Sequence, residues 1–246
     1  MGFFYGYFEY LLWMLPAIII SAIAQAKVKS TYSRFSKISN RMGLTGAQAA
    51  RKVLSAAGVT NVTITTIGGN LTDHFDPRTN TIRLSDGVHS RSTVAAVAIA
   101  AHECGHAIQH AEGYVPNKIR SFLVPVTNFA SRIGWILILI GFAFSGVSYY
   151  YYSTPTTYSS PVGDLLVTVG IILYSTSLLF TLITLPVEFN ASKRALKIIE
   201  STNMLHGEEF EGAKKTLSAA AMTYVAASLT ALLQLLRIIT IAKRRR

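Results

Sequence analysis

Apolar positions in this chain are gathered into long runs, with the polar positions concentrated in the segments between them. Residues 3–26 carry one charge, Glu9, over a length that exceeds the about 20 residues a membrane-crossing helix needs. A second span is expected within 133–152, continuing a helix from 122 that Pro125 should kink, and a third over 165–185, which holds no charge. The run 217–236 is uncharged too, but rich in Ala, Ser and Thr, so it is expected either to span or to pack against the region that follows the first run, the second being slightly favoured. A secretory leader is excluded for the first run, which lacks a basic segment before it and is too long.

Between the first run and residue 120 the pattern changes to that of a small α+β region. Thr45 and Gln48 form a capping box, 47–57 supplies helix formers and Gly58 stops the helix. Residues 62–67 then read as a strand closed by the turn Gly68-Gly69-Asn70, and 76–80 is a second turn followed by a short strand at 81–84. The next apolar stretch, from Thr93 to His102, opens a helix with Ser90 or Ser92 as N-cap and Gly113 as its stop. A strand just before this helix would offer an edge to which an extended peptide can add.

Composition agrees with a membrane protein, with half of the residues apolar and 14 % charged. The net charge of +11 flanks the apolar runs and comes with no nucleic-acid-binding motif, so its expected partner is the anionic surface of a bilayer rather than nucleic acid. Segment 27–120 holds twelve Lys and Arg, 187–216 holds five and the Tyr-rich loop 148–161 none, which predicts the first two inside the cell, the loop outside and an external N-terminus. The basic tail 243–246 opposes a fourth full crossing by the same rule.

The expected division is therefore a transmembrane helix at 1–26, a cytoplasmic α+β region at 27–120, two transmembrane helices at 121–186, and at 187–246 a cytoplasmic helix with a final membrane-associated or transmembrane helix. Cys104 stands alone, which excludes an internal disulfide. It points roughly 200° around the helix from His102, a packing position.

The chemistry lies in His102-Glu103-Cys104-Gly105-His106. Residues four apart share a helix face, so His102 and His106 can reach one ion, and Glu103 beside them can take a proton from a zinc-activated water. Three polar groups after so apolar a stretch need a strong partner, and zinc is one. A catalytic zinc needs a further protein ligand. The extended motif, with Gly seven and His ten residues after the first His, is absent, since Gln109 and Glu112 hold those positions. A carboxylate from a later helix remains, with Glu188 favoured over Glu200 and Glu112; Glu208, Glu209 and Glu211 read as solvated.

The segments Asp73-His74-Phe75-Asp76-Pro77, the HECGH helix, Pro186-Val187-Glu188-Phe189-Asn190-Ala191-Ser192-Lys193-Arg194-Ala195 and Ala220-Ala221-Met222-Thr223-Tyr224-Val225-Ala226 resemble the YugP-type membrane zinc metallopeptidases of bacteria. That family is similar to the gluzincins, among them the HtpX heat-shock proteases and the CAAX prenyl proteases. The resemblance implies one zinc ion per chain on His102, His106 and Glu188, with Glu103 as general base and acid. Those relatives usually carry Asp four residues after the ligand Glu, where this chain has Ser192, so Asp73 or Asp76 would have to support the ligands instead. His74, Arg194 and Tyr224 are candidate donors to an oxyanion.

The fold expected is thus a multi-pass α-helical membrane protein with a small cytoplasmic zincin-like α+β region built around the HExxH helix. Its expected function is hydrolysis of protein or peptide substrates, membrane proteins above all, at the cytoplasmic membrane face. The alternative is a non-catalytic zinc-binding scaffold, or a chaperone or adaptor.

Overall fold

The computed structural model describes the backbone of residues 2–151 and 160–244, and the side chains of 11–144 and 160–243. The expected external loop and basic tail thus fall partly outside the described residues. The helices α1 (Gly2–Phe35), α5 (Val115–Tyr151), α6 (Pro161–Ser201) and α7 (Glu208–Arg244) are long, and each contains a segment long and apolar enough to cross a membrane. Helix α7 thus qualifies by length and composition like the other three, which is compatible with the transmembrane alternative expected for 217–236. Two boundaries differ from expectation. Helix α1 continues nine residues past 26, and α5 runs unbroken through Pro125 from Val115.

By its internal contacts the chain forms two compact units, one of Met1–Ser21, Ile119–Ile183 and Ala226–Arg246, the other of Ala22–Lys118 and Thr184–Val225. In the first unit α5 and α6 approach closely at glycines. A Cβ on Gly134 would lie 2.7 Å from the Gly170 carbonyl oxygen, and one on Gly170 equally close to that of Gly134. Gly141 meets the Gly163 oxygen at the same separation. Large apolar side chains such as Phe129, Leu165 and Ile172 face outward here, as lipid-facing residues do.

The second unit contains α2 (Gly46–Ala56), β1 (Thr63–Ile67), β2 (His74–Asp76), β3 (Thr81–Ser85), α3 (Asp86–His89) and α4 (Val94–Ala111). The capping box at Thr45 and Gln48 forms as the sequence predicts, and Gly58 (φ 69°) adopts the left-handed conformation that ends α2. Strand β2 has no counterpart in the sequence reading, which places Asp76 in the turn 76–80 and assigns no element to His74 and Phe75. It makes β3 the centre of a sheet ordered β1-β3-β2, parallel to β1 and antiparallel to β2. The strand before the HExxH helix therefore offers no free edge along residues 81–83, and the outer edges belong to β1 and β2.

Helix α4 is the spine of this unit. Thr93, rather than Ser90 or Ser92, is its N-cap, with the hydroxyl accepting from the Ala96 N–H at 3.3 Å. Val94, Ala95, Val97, Ala98, Ala101 and Cys104 are wholly buried against Val53, Ile82, Leu84 and Ile199. So many alanines on one helix leave room for its neighbours to approach, and that closeness sets up the site.

Candidate metal centre

Helix α4 presents His102 and His106 on one face, with ring centroids 4.8 Å apart. Helix α6 brings Glu188, only 2 % exposed, against both. Its Oε2 lies 3.3 Å from His102 Nε2 and 3.4 Å from His106 Nε2. One ligand atom from each of the three residues falls within 4.8 Å of the others, and among the described residues this is the group that converges closely enough to hold an ion. Two imidazole nitrogens and a carboxylate oxygen, with coordination left open, are a donor set of catalytic zinc.

The approach depends on the residue inside the motif. A Cβ on Gly105 would lie 2.5 Å from the Ala191 carbonyl oxygen and 3.0 Å from two further backbone atoms of that residue, so only glycine lets α6 pass. Glu200 is exposed, and Glu112 is engaged with Arg194 Nη1 at 2.6 Å, so neither alternative third ligand reaches the centre.

The outward ring nitrogens are also engaged. His102 Nδ1 lies 3.1 Å from Ser192 Oγ, and His106 Nδ1 lies 3.1 Å from Gln109 Oε1. The support expected from Asp73 or Asp76 therefore comes from two neutral side chains. Asp73 is occupied by the Ser85 N–H at 2.7 Å and the Ser85 hydroxyl; burial raises its carboxyl pKa against those hydrogen bonds. Asp76 accepts from Arg83 at 3.0 Å, and that bond first, with Thr79 and the Arg78 N–H, pulls its carboxyl down to about 2.

Glu103 is buried beside the ligands and lines a cleft of about 190 Å³ together with His102, Glu188, Tyr32, Asp73 and Tyr224. Burial pushes its carboxyl up to about 6, with Glu188 and Asp73 adding to the shift and His102 and the Phe75 N–H opposing it.

Of the three groups considered for an oxyanion, Tyr224 lines the cleft. Arg194 is committed to Glu112 and Asn190, and His74 is exposed with Nδ1 2.8 Å from the Thr72 carbonyl. Tyr32 and Gln109 escaped the sequence reading. Gln109 had a signal in its place three residues after His106, one turn along the same face; Tyr32 had none. Cys104 is buried, donates to the Ala50 carbonyl at 3.5 Å, and has its thiol pKa pushed well up by burial, as a packing residue should. Glu209 is buried and accepts from the Arg41 N–H at 2.9 Å, where solvation was expected.

Comparison with known proteins agrees with this geometry. The family described as "Putative neutral zinc metallopeptidase" matches residues 10–243. The chain is 41 % identical over 227 residues to "Putative membrane protease YugP" of Bacillus subtilis (strain 168), covering 92 % of this chain and 93 % of that relative. No solved structure matches.

Proposed function

The chain belongs to the neutral zinc metallopeptidase family, and from that premise we propose that it hydrolyses peptide bonds of membrane proteins, or of segments close to the membrane, on the cytoplasmic side. Its cofactor is zinc, and His102, His106 and Glu188 lie close enough to bind one ion. When bound there, zinc supplies Lewis-acid polarisation of the scissile carbonyl and of the attacking water.

The remaining work falls to the chain itself. Glu103 accepts the proton of the attacking water and returns it to the leaving amine nitrogen. Tyr224, on the cleft wall, is the candidate donor to the developing oxyanion. Ile99, Leu217, Ala220 and Ala221 give the cleft an apolar side that suits an apolar substrate residue beside the scissile bond. The cytoplasmic assignment is supported by the basic residues of 27–120 and 187–216. Substrates at the membrane are supported by the continuity of α6, which contains both the apolar run 165–185 and Glu188.

The observation that carries this reading is the convergence of His102, His106 and Glu188 beside the buried Glu103. Its test is Glu103→Gln in purified protein with a generic unfolded substrate. Zinc content should stay at one per chain while hydrolysis falls by roughly 10²–10⁴-fold. Unchanged function in a zinc-replete variant would favour a scaffold or adaptor instead.

A further inference from the structure

The hydrogen bonds behind His106 fix more than its position. Arg194 can only donate, and its Nε lies 2.7 Å from Asn190 Oδ1, so the oxygen end of that amide faces the guanidinium. The same Asn190 oxygen lies 3.0 Å from Gln109 Nε2, and the Val187 carbonyl oxygen lies 2.8 Å from it. Two acceptors on one side of the Gln109 amide require its NH₂ there. Its oxygen is thereby turned to His106, and Nδ1 at 3.1 Å must carry the proton. Nε2, the nitrogen that faces Glu188, is then the one left to bind an ion.

His102 is held differently. Ser192 Oγ can either donate or accept, so its contact orients the ring without choosing the tautomer. Gln109 is wholly buried and close to the ligand, whereas the chain of partners that orients it ends in Arg194, which is paired with Glu112 beyond the end of α4 and lies over the Tyr114 ring at 5.9 Å. The direction of one amide is thus set by a cation and a backbone carbonyl.

We propose that Gln109, oriented by Val187 and Asn190, is the positioning residue that accepts the Nδ1 proton of His106 and so turns Nε2 to the ligand position, a neutral amide doing the work usually given to a carboxylate behind a metal-bound histidine. The inference rests on reading His106 as a zinc ligand. It predicts a centre whose affinity depends on Gln109 more than on Ser192, because one contact selects a protonation pattern and the other only an orientation.

The test uses the full chain in detergent, labelled with ¹⁵N-histidine and stripped of zinc. The His106 ring, assigned by comparison with His106→Gln, should show the proton on Nδ1 in the wild type; an unprotonated Nδ1 overturns the proposal. Zinc affinity by chelator competition should fall roughly 10- to 100-fold in Gln109→Met and clearly less in Ser192→Ala, whose contact sets only an orientation. Equal affinity in Gln109→Met and wild type, or an equal loss in both variants, overturns it as well. If Gln109→Met does not fold, the protonation of His106 Nδ1 in the wild type still decides. A wild type that binds no zinc would refute the metal centre, and the zinc-free spectrum would report on the His106 tautomer all the same.

Discussion

Both compact units of this chain bring helices together at glycine, yet to different ends. Where Gly134 meets Gly170, the close approach joins α5 and α6 in a unit whose large apolar side chains face outward. Lipid tails are as apolar as those side chains, so close backbone contact has to supply much of the association. At Gly105 the same device lets the Ala191 backbone approach α4, but the surroundings are a buried alanine-rich core, and the result is a Glu188 carboxylate within 3.4 Å of two imidazoles. Glycine at a helix crossing thus serves packing in one place and chemistry in the other. The side chains one turn away decide which.

The contrast can be broken at its chemical end by Glu188→Ala. Zinc affinity should fall beyond the roughly 100-fold that loss of an outer partner produces, with elemental analysis showing less than one ion per chain, while helical content persists by circular dichroism. Full zinc retention would detach α6 from the metal centre.

Core substitutions sharpen the difference in what surrounds the helices. Leu84→Ala, at a position of zero exposure, should cost about 2–5 kcal/mol in unfolding by denaturant. Ile172→Ala, at 62 % exposure in the other unit, should stay within about 0.5 kcal/mol.

Zinc removal should act on one unit more than the other. At an ion concentration 100 times its dissociation constant, binding stabilises by about 2.7 kcal/mol. Hydrogen exchange after chelation should therefore speed up in α4 and around Glu188, with little change in 134–141 and 163–170.

Adding a methyl at the two crossings compares them directly. Gly105→Ala and Gly170→Ala should each cost about 1–3 kcal/mol through overpacking. Only Gly105→Ala should also weaken zinc binding in the chelator assay, because only there does separation of the helices move a ligand.

The smallest effect belongs to the surface of the sheet. Asp76 is held in the folded chain at about 2 by its Arg83 partner, so its stabilisation is present above the ordinary carboxyl value of 3.8 and lost as pH falls through 2. Asp76→Asn should lower the unfolding midpoint slightly at pH 5 and leave it unchanged near pH 2, and salt should shrink the difference.

How much of this was legible in the sequence follows the range of the interactions involved. The capping box at Thr45, the apolar runs, and the placing of His102, Glu103 and His106 on one helix face follow from periodicity and short-range hydrogen bonds, which a few neighbouring residues determine. Three-residue β2 escaped because so short a strand has no pattern of its own and exists by pairing with β3. The outer partners escaped because the expected Asp was sought by type, whereas Ser192 and Gln109 do the work by location.

The sequence by itself determined the apolar runs, the capping box at Thr45 and the two imidazoles four residues apart, since each is written within a few turns of chain. The tertiary structure brought Glu188, already favoured in the sequence, close enough to both imidazoles to share an ion, left Glu112 and Glu200 apart, and placed neutral groups behind both histidines. The contacts of His102 with Ser192 and of Gln109 with Val187 join residues 90 and 78 positions apart, and they depend on how closely two helix backbones can pass at a single glycine.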